Sequence, residues 1–324
     1  MNRENLFYKV PVDLFYSGGQ YDFNLYTKKD SHFDIILQKG DFYPQNLSSF
    51  TNKEKNFESS FFVKNEEKLI YFKHSEEYLK QITFDEKIPL DIKAKIAYES
   101  VSGIVENLLQ QPESKEIVGR IKSLLDTSLQ MILSHEASIK SLIKVSSHDY
   151  YTYTHSVDVA IYAIGFANYQ GYSYEAIRNL GYAALMHDIG KSKVPSAIIN
   201  KKGKLTDEEF KEMKKHPRYG YDLLLSHGEE NRDVLEGVLQ HHEKKHGNGY
   251  PRNLTHHEIN DFAKIIQIAD IFSALTAKRS YKDAYSSFKA LQLMKQFMVQ
   301  DVDASLLNDF IRFMGRTSQL KEAA

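Results

Sequence analysis

The sequence predicts a mainly α fold, with a C-terminal helical bundle following a small α+β N-terminal domain. Three observations predict it. Apolar residues change from short alternating runs to helical spacing near Pro89. That spacing then persists to about residue 315 without a convincing strand run. The region before the change is rich in Phe and Tyr and is punctuated by turn residues. A chain of 324 residues is long enough for this division, and its 42% apolar and 26% charged residues are ordinary for a globular protein. The boundaries we expect are 1–87 for the N-terminal domain, 88–145 for a helical linker and 146–318 for the catalytic domain.

In the first region, Tyr21, Phe23 and Leu25 alternate, and Phe61 to Val63 and Leu69 to Phe72 read as further strand material. Gly18-Gly19, Lys39-Gly40-Asp41 and Lys64-Asn65 supply turns between them, with room for one or two helices. From Pro89, Ile92, Ile96, Val101, Ile104, Val105 and Leu108 share one helix face, which stops near Pro112. A second helix carries Ile117, Ile121, Leu124, Leu125, Ser128 and Ile132. These helices lead toward the catalytic region, and by position the N-terminal domain is expected to be regulatory.

Charge and composition exclude several classes. A formal net charge of −1 gives no electrostatic case for a binder of polymeric nucleic acid or of anionic membranes. The apolar stretches are shorter than the roughly 20 residues a membrane span needs. The first ten residues have no apolar core, so no secretory signal is expected and the expected location is cytoplasmic. There is no cysteine, so disulfides and thiolate metal sites are excluded and any metal must use His, Asp or Glu.

Five of the 13 histidines form an ordered series with two aspartates. His155 opens the apolar stretch Val157 to Phe166. His187 and Asp188 end a helix running from about Tyr174, with Gly190 as its expected C′ residue. Thr206 to Glu209 is a capping box, and Pro217 opens the helix after it, which puts His216 at the junction. His241 and His242 end a helix from about Arg232, just before Gly247-Asn248-Gly249. Asp270 lies inside the apolar helix Phe262 to Leu275. Neutral imidazoles with carboxylates suit borderline first-row metals. Two such ions about 3.5–4 Å apart can share a hydroxide and clamp a phosphate for in-line displacement. Lys191, three residues after Asp188, can reach the same phosphate and offset charge on its oxygens. His32, His74, His135, His148 and His227 read as surface or satisfied core residues, and His256 and His257 as a solvated loop.

From about Tyr150 to Tyr285 the chain resembles the HD-GYP family, a branch of the HD phosphohydrolases. The resemblance is carried by His187-Asp188-Ile189-Gly190-Lys191, by Lys204-Leu205-Thr206 through His216-Pro217, and by His241-His242-Glu243 with Gly247-Asn248-Gly249-Tyr250-Pro251. Its last piece is Ala269-Asp270 through Arg279-Ser280-Tyr281-Lys282. It implies an HD-type helical bundle that hydrolyses cyclic di-GMP to pGpG and on to GMP, through a metal-bridging hydroxide at a binuclear centre. It also implies iron as the first choice of metal and manganese as the next. By this resemblance His155, His187, Asp188 and Asp270 hold one metal, and Asp188, His216, His241 and His242 hold the other. Asp188 and Lys191 are then the catalytic pair. Lys191 contacts the scissile phosphate, Gly249 and Tyr250 line the substrate pocket, and Arg279 and Lys282 hold the nonreacting phosphate.

The chain also departs from that pattern. Tyr151 stands where some members carry a glutamate for a third metal, which implies two metals here. His246 replaces an Asp, Ser273 an Asp, Ser280 a Pro and Lys264 an Arg. Two alternatives therefore stay open. One is a signalling module that binds a cyclic dinucleotide or a signalling protein partner without hydrolysis. The other is an HD hydrolase of another nucleotide such as cyclic GMP-AMP. A homodimer is equally open.

Overall fold

The structure, a computed structural model, describes residues 6–10, 12–15, 19–29, 32–43, 61–134, 136–146, 152–201, 203–277 and 284–318. Gly18, His135 and His148 lie outside the described residues. The chain divides into two compact units, Met1–Gly103 and Ile104–Ala324.

In the first unit, β1 (Phe7–Val10), β2 (Leu25–Lys29), β3 (His32–Leu37) and β4 (Phe61–Lys64) form an antiparallel sheet in the order β1-β4-β2-β3. Tyr8 pairs with Val63, and Tyr26 with Phe62. Helix α1 (Lys68–Ile82) follows and packs on β4. Tyr21, Phe23 and Leu25 are all buried, as their alternation predicts, although only Leu25 lies within a strand. Phe15, Tyr21, Phe23, Tyr71 and the His74 ring meet in edge-to-face contacts that fill this core. The segment Leu69 to Phe72 is helix, not strand. Its buried residues continue as Tyr71, Phe72, Ser75, Tyr78, Leu79 and Ile82, a helical period that four residues were too few to reveal, while Leu69 and Ile70 are exposed.

Helix α2 (Leu90–Gln110) spans the division, and the second unit continues with α3 (Lys115–Ser134), α4 (Glu136–Val145), α5 (Thr152–Tyr169) and α6 (Tyr174–Met186). Then come the short α7 (Ser196–Ile199), α8 (Asp207–Met213), α9 (His216–Ser226) and α10 (Arg232–Gln240). The last are α11 (Asp261–Thr276), α12 (Ser287–Leu293) and α13 (Ala304–Ser318). Helices α5 and α11 are apolar around most of their circumference because they are central, with Val159, Ala163, Phe166, Ile266, Ala269 and Phe272 wholly buried. They pack on each other; α6 packs on α5 and α10, and α10 also on α9 and α11. Each apolar side chain so buried contributes roughly 1.5–3 kcal/mol.

Local signals fix where these helices begin. Ser173, Asn231 and Asn260 cap α6, α10 and α11 with side-chain acceptors, and Thr206 with Glu209 forms the capping box of α8. Pro217 sits in the first turn of α9. At one helix end the expectation fails. Helix α6 stops at Met186 with His187 as its cap, and a 3-10 turn, Ile189–Lys193, follows. Gly190 is inside that turn and is not a left-handed C′ residue. It is glycine because a Cβ there would lie 2.0 Å from the His216 carbonyl oxygen and 2.4 Å from the Gly220 nitrogen. The turn must touch the backbone of α9, and only glycine permits it.

Candidate metal centre

Three helix ends and two helix faces converge in the second unit. His187 follows the last residue of α6, His216 lies just beyond α8, and His241 follows α10. Each turns its Nδ1 back to a carbonyl three residues earlier: His187 to Ala184 at 2.7 Å, His216 to Met213 at 2.8 Å, and His241 to Val238 at 2.7 Å. A helix C-terminus leaves carbonyls without intrahelical partners, and these imidazoles satisfy one in each case. A carbonyl only accepts, so Nδ1 carries the proton. In the neutral ring, Nε2 is left with a lone pair aimed inward.

Those lone pairs meet around Asp188, which is 1% exposed. His216 Nε2 lies 3.3 Å and His241 Nε2 4.0 Å from Asp188 Oδ1, and His187 Nε2 lies 3.4 Å from Oδ2. The Nε2 atoms of His216 and His241 are 3.3 Å apart. Two lone pairs at that distance, beside a carboxylate oxygen, repel unless a cation stands among them. His187 Nε2 and Asp188 Oδ1 are buried without a hydrogen-bond partner. Two groups of ligand atoms result, each within 4.8 Å: Asp188, His216, His241 and His242 in one, and His155, His187 and Asp188 in the other. Asp188 is common to both. The donor set is imidazole and carboxylate, which fits divalent first-row metals.

His155 comes from the first turn of α5 and meets Asp270 of α11, with His155 Nε2 3.0 Å from Asp270 Oδ1. Lys191 folds back through the 3-10 turn, and its ammonium donates to Asp188 Oδ2 at 2.5 Å. The Tyr250 ring lies 4.7 Å from that of His242. Gly249 is pressed on the Glu243–Lys244 backbone, where a Cβ would come within 2.3 Å of the Lys244 nitrogen. His246 is exposed and bridges to Thr255. Arg279 and Lys282 lie outside the described residues, as do Tyr151 and Ser280.

Charge is settled by burial and by neighbours. Burial pushes His241 well below the usual imidazole range, with His242, His187 and His216 adding to it. Burial also pushes His242 down to about 3 and lowers His155. His187 is buried too, but Asp188 outweighs that and raises it. Burial would raise Asp188, yet Lys191 and His187 hold its carboxyl well below the usual range. Mostly neutral imidazoles around an ionised carboxylate are what a cation requires.

Two polar residues that the sequence reading named only as parts of the family pattern, without a role, find partners here. Ser273, one turn past Asp270 on α11, is fully buried with its Oγ 2.9 Å from His155 Nδ1. Glu243 is also fully buried, accepting from the Arg252 nitrogen at 2.5 Å and the Leu254 nitrogen at 3.0 Å. It clamps the loop that carries Tyr250. A charged residue next to a glycine-rich loop was the available signal, but nothing local named its partners.

A family model described as HD domain matches residues 124–306. The chain belongs to the HD domain family. Its second unit accordingly contains the HD-type bundle that the sequence implied. A cyclic di-GMP phosphodiesterase of Pseudomonas aeruginosa is 34% identical over 192 residues, 59% of this chain and 46% of that protein. A 3'3'-cGAMP-specific phosphodiesterase of Vibrio cholerae is 31% identical over 186 residues, 57% of this chain and 34% of that one. The chain thus spans less than half the length of these curated relatives. Among solved structures, an HDG"Y"P protein from Bdellovibrio bacteriovorus shares the fold at a TM-score of 0.69 and 19% identity, over 95% of this chain and 99% of that one. Among the described residues no helix is long and apolar enough to cross a membrane.

Proposed function

We propose that this HD domain protein is a metal-dependent phosphodiesterase that opens cyclic di-GMP to pGpG and carries it on to GMP. The observation that carries the reading is the pair of buried ligand clusters sharing Asp188, with imidazole lone pairs turned on one another. His155, His187, Asp188 and Asp270 would hold one divalent ion, and Asp188, His216, His241 and His242 the other. Iron is the first choice and manganese the second, since imidazole-rich sites with carboxylates suit both. When bound, the ions would activate water and draw charge from the phosphate.

The chain's own residues do the remaining work in this reading. Lys191 offsets negative charge on a phosphate oxygen, moving there from Asp188. Tyr250 stacks on a guanine, which its apolar ring beside His242 supports. Gly249 lets the loop lie against the Glu243–Lys244 backbone, where a side chain would not fit. Arg279 and Lys282 hold the nonreacting phosphate.

The test is turnover of cyclic di-GMP by iron- or manganese-loaded protein, with pGpG and GMP separated by chromatography. Asp188→Ala should lower the rate on the order of 10³-fold, the scale of losing a main transition-state stabiliser. Equal rates in both proteins reject the reading, and tight binding without product makes the chain a signalling module. A second substrate is favoured by one observation: a relative of similar identity is named for 3'3'-cGAMP. A higher kcat/KM on 3'3'-cGAMP than on cyclic di-GMP would move the substrate and keep the chemistry.

A further inference from the structure

The histidines of the centre are not anchored alike. His187, His216 and His241 each give their Nδ1 proton to a carbonyl, which fixes Nε2 as the bare nitrogen. His155 Nδ1 faces instead the hydroxyl of Ser273, which can donate or accept. Its Nε2 faces Asp270 Oδ1 at 3.0 Å, and an ionised carboxylate only accepts. An imidazole that binds an ion through Nε2 carries a single proton, and that proton must sit on Nδ1.

A neutral ring with one proton then has two arrangements. With the proton on Nδ1, two acceptors confront each other at 3.0 Å, and the Ser273 hydroxyl cannot donate to the ring. With the proton on Nε2, both contacts become hydrogen bonds: Nε2–H to Asp270, and the Ser273 hydroxyl to Nδ1. Ser273 is 0% exposed, so water does not relieve the first arrangement. The metal-free ring therefore rests with its proton on the nitrogen that would have to bind an ion.

We propose that Ser273 makes the two ion positions unequal, so that the Asp188, His216, His241 and His242 position fills first and the position built on His155 fills last. This rests on the metal-dependent reading above. Filling the second position requires the His155 proton to move from Nε2 to Nδ1, the hydrogen bond to Asp270 to be given up and the one with Ser273 to reverse. The ring keeps one proton throughout, and the hydroxyl turns from donor to acceptor. Ser273 is thus a positioning residue that acts through His155.

The experiment uses the full chain, stripped of metal and equilibrated against graded free manganese, with bound ions counted by elemental analysis. Wild type should bind its second ion only at about tenfold or more higher manganese than its first, the factor expected of one misplaced hydrogen bond. Ser273→Asp offers Nδ1 only an acceptor and fixes the same tautomer as in the other three histidines, so the gap should close. Nitrogen-15 spectra of the metal-free wild type read the tautomers directly, whether or not that variant folds. His155 should show Nε2–H, and His187, His216 and His241 should show Nδ1–H. An Nδ1–H tautomer at His155, or two ions of equal affinity in wild type, overturns the proposal. Binding of no ion at all defeats the metal-dependent reading itself, a separate result.

Discussion

The N-terminal unit and the HD unit each draw a carboxylate out of water, Glu99 in part and Asp188 wholly, and they treat it in opposite ways. At Glu99, burial pushes the carboxyl up to about 7, against the pull of the Tyr8 hydroxyl at 3.2 Å and of Lys68 and Lys95. At Asp188, burial is outweighed by the ammonium of Lys191 at 2.5 Å and by the facing imidazoles, and the carboxyl stays ionised. Asp188 is the deeper of the two, so depth alone would predict the reverse order. What differs is whether cationic or polarisable partners stand within hydrogen-bond reach. Glu99 has one hydroxyl at hydrogen-bond distance, and Asp188 has an ammonium and several imidazoles around it.

The sharpest way to break this contrast is to disturb the backbone contact beneath the charged cluster. Gly190→Ala should destabilise the HD unit by about 3 kcal/mol or more, because the new methyl meets backbone that cannot rotate away. Thermal melting should show the loss, and bound metal should fall because His216 moves with its carbonyl. Retention of both ions at wild-type melting would break the account of Gly190.

Next comes Glu243, buried as Asp188 is but satisfied by backbone nitrogens. Glu243→Ala leaves the Arg252 and Leu254 N–H groups without an acceptor and should cost about 2–4 kcal/mol in denaturant titrations. Glu243→Gln keeps one acceptor oxygen and should lose clearly less. Equal losses for the two variants would mean that volume, not hydrogen bonding, holds the loop.

Opposed pH responses sharpen the contrast further. Glu99 has a folded value raised from 4.5 to about 7, so the native state holds the proton more tightly. Stability of the N-terminal unit should therefore fall as pH rises from 4.5 through about 7. His242 is lowered from 6.5 to about 3, so the unfolded chain takes up protons that the native HD unit refuses. Metal-free HD unit stability should fall as pH drops from 6.5 toward about 3. Amide hydrogen exchange followed separately in the two units measures both slopes, and Glu99→Gln should flatten only the first. The smallest effect belongs to the half-exposed pair Arg178–Asp126, where Asp126→Asn should change stability by less than about 1 kcal/mol.

Much of the HD unit was legible because its chemistry sits at helix punctuation. The Thr206–Glu209 box, Pro217 and the glycines after His242 marked the ends from which His216 and His241 project. What local pattern cannot carry is a contact between distant residues. Ser273 and His155 are 118 positions apart, and no rule of spacing joins them. Gly190 misled for the same reason: it satisfied a local rule for helix ends, while its real constraint was the crossing with α9. Leu69 to Phe72 failed for the opposite reason, being too short a window for strand and helix periods to differ.

Glu243 stands directly after His242, and its two oxygens hold the far limb of the loop on which Tyr250 rides. Under the proposed function, the imidazole that would hold an ion and the tyrosine that would meet a base belong to one clamped loop. On that reading, ion uptake and base recognition are expected to be coupled. Whatever factor by which a seated ion improves nucleotide affinity, the seated nucleotide must return the same factor to the ion.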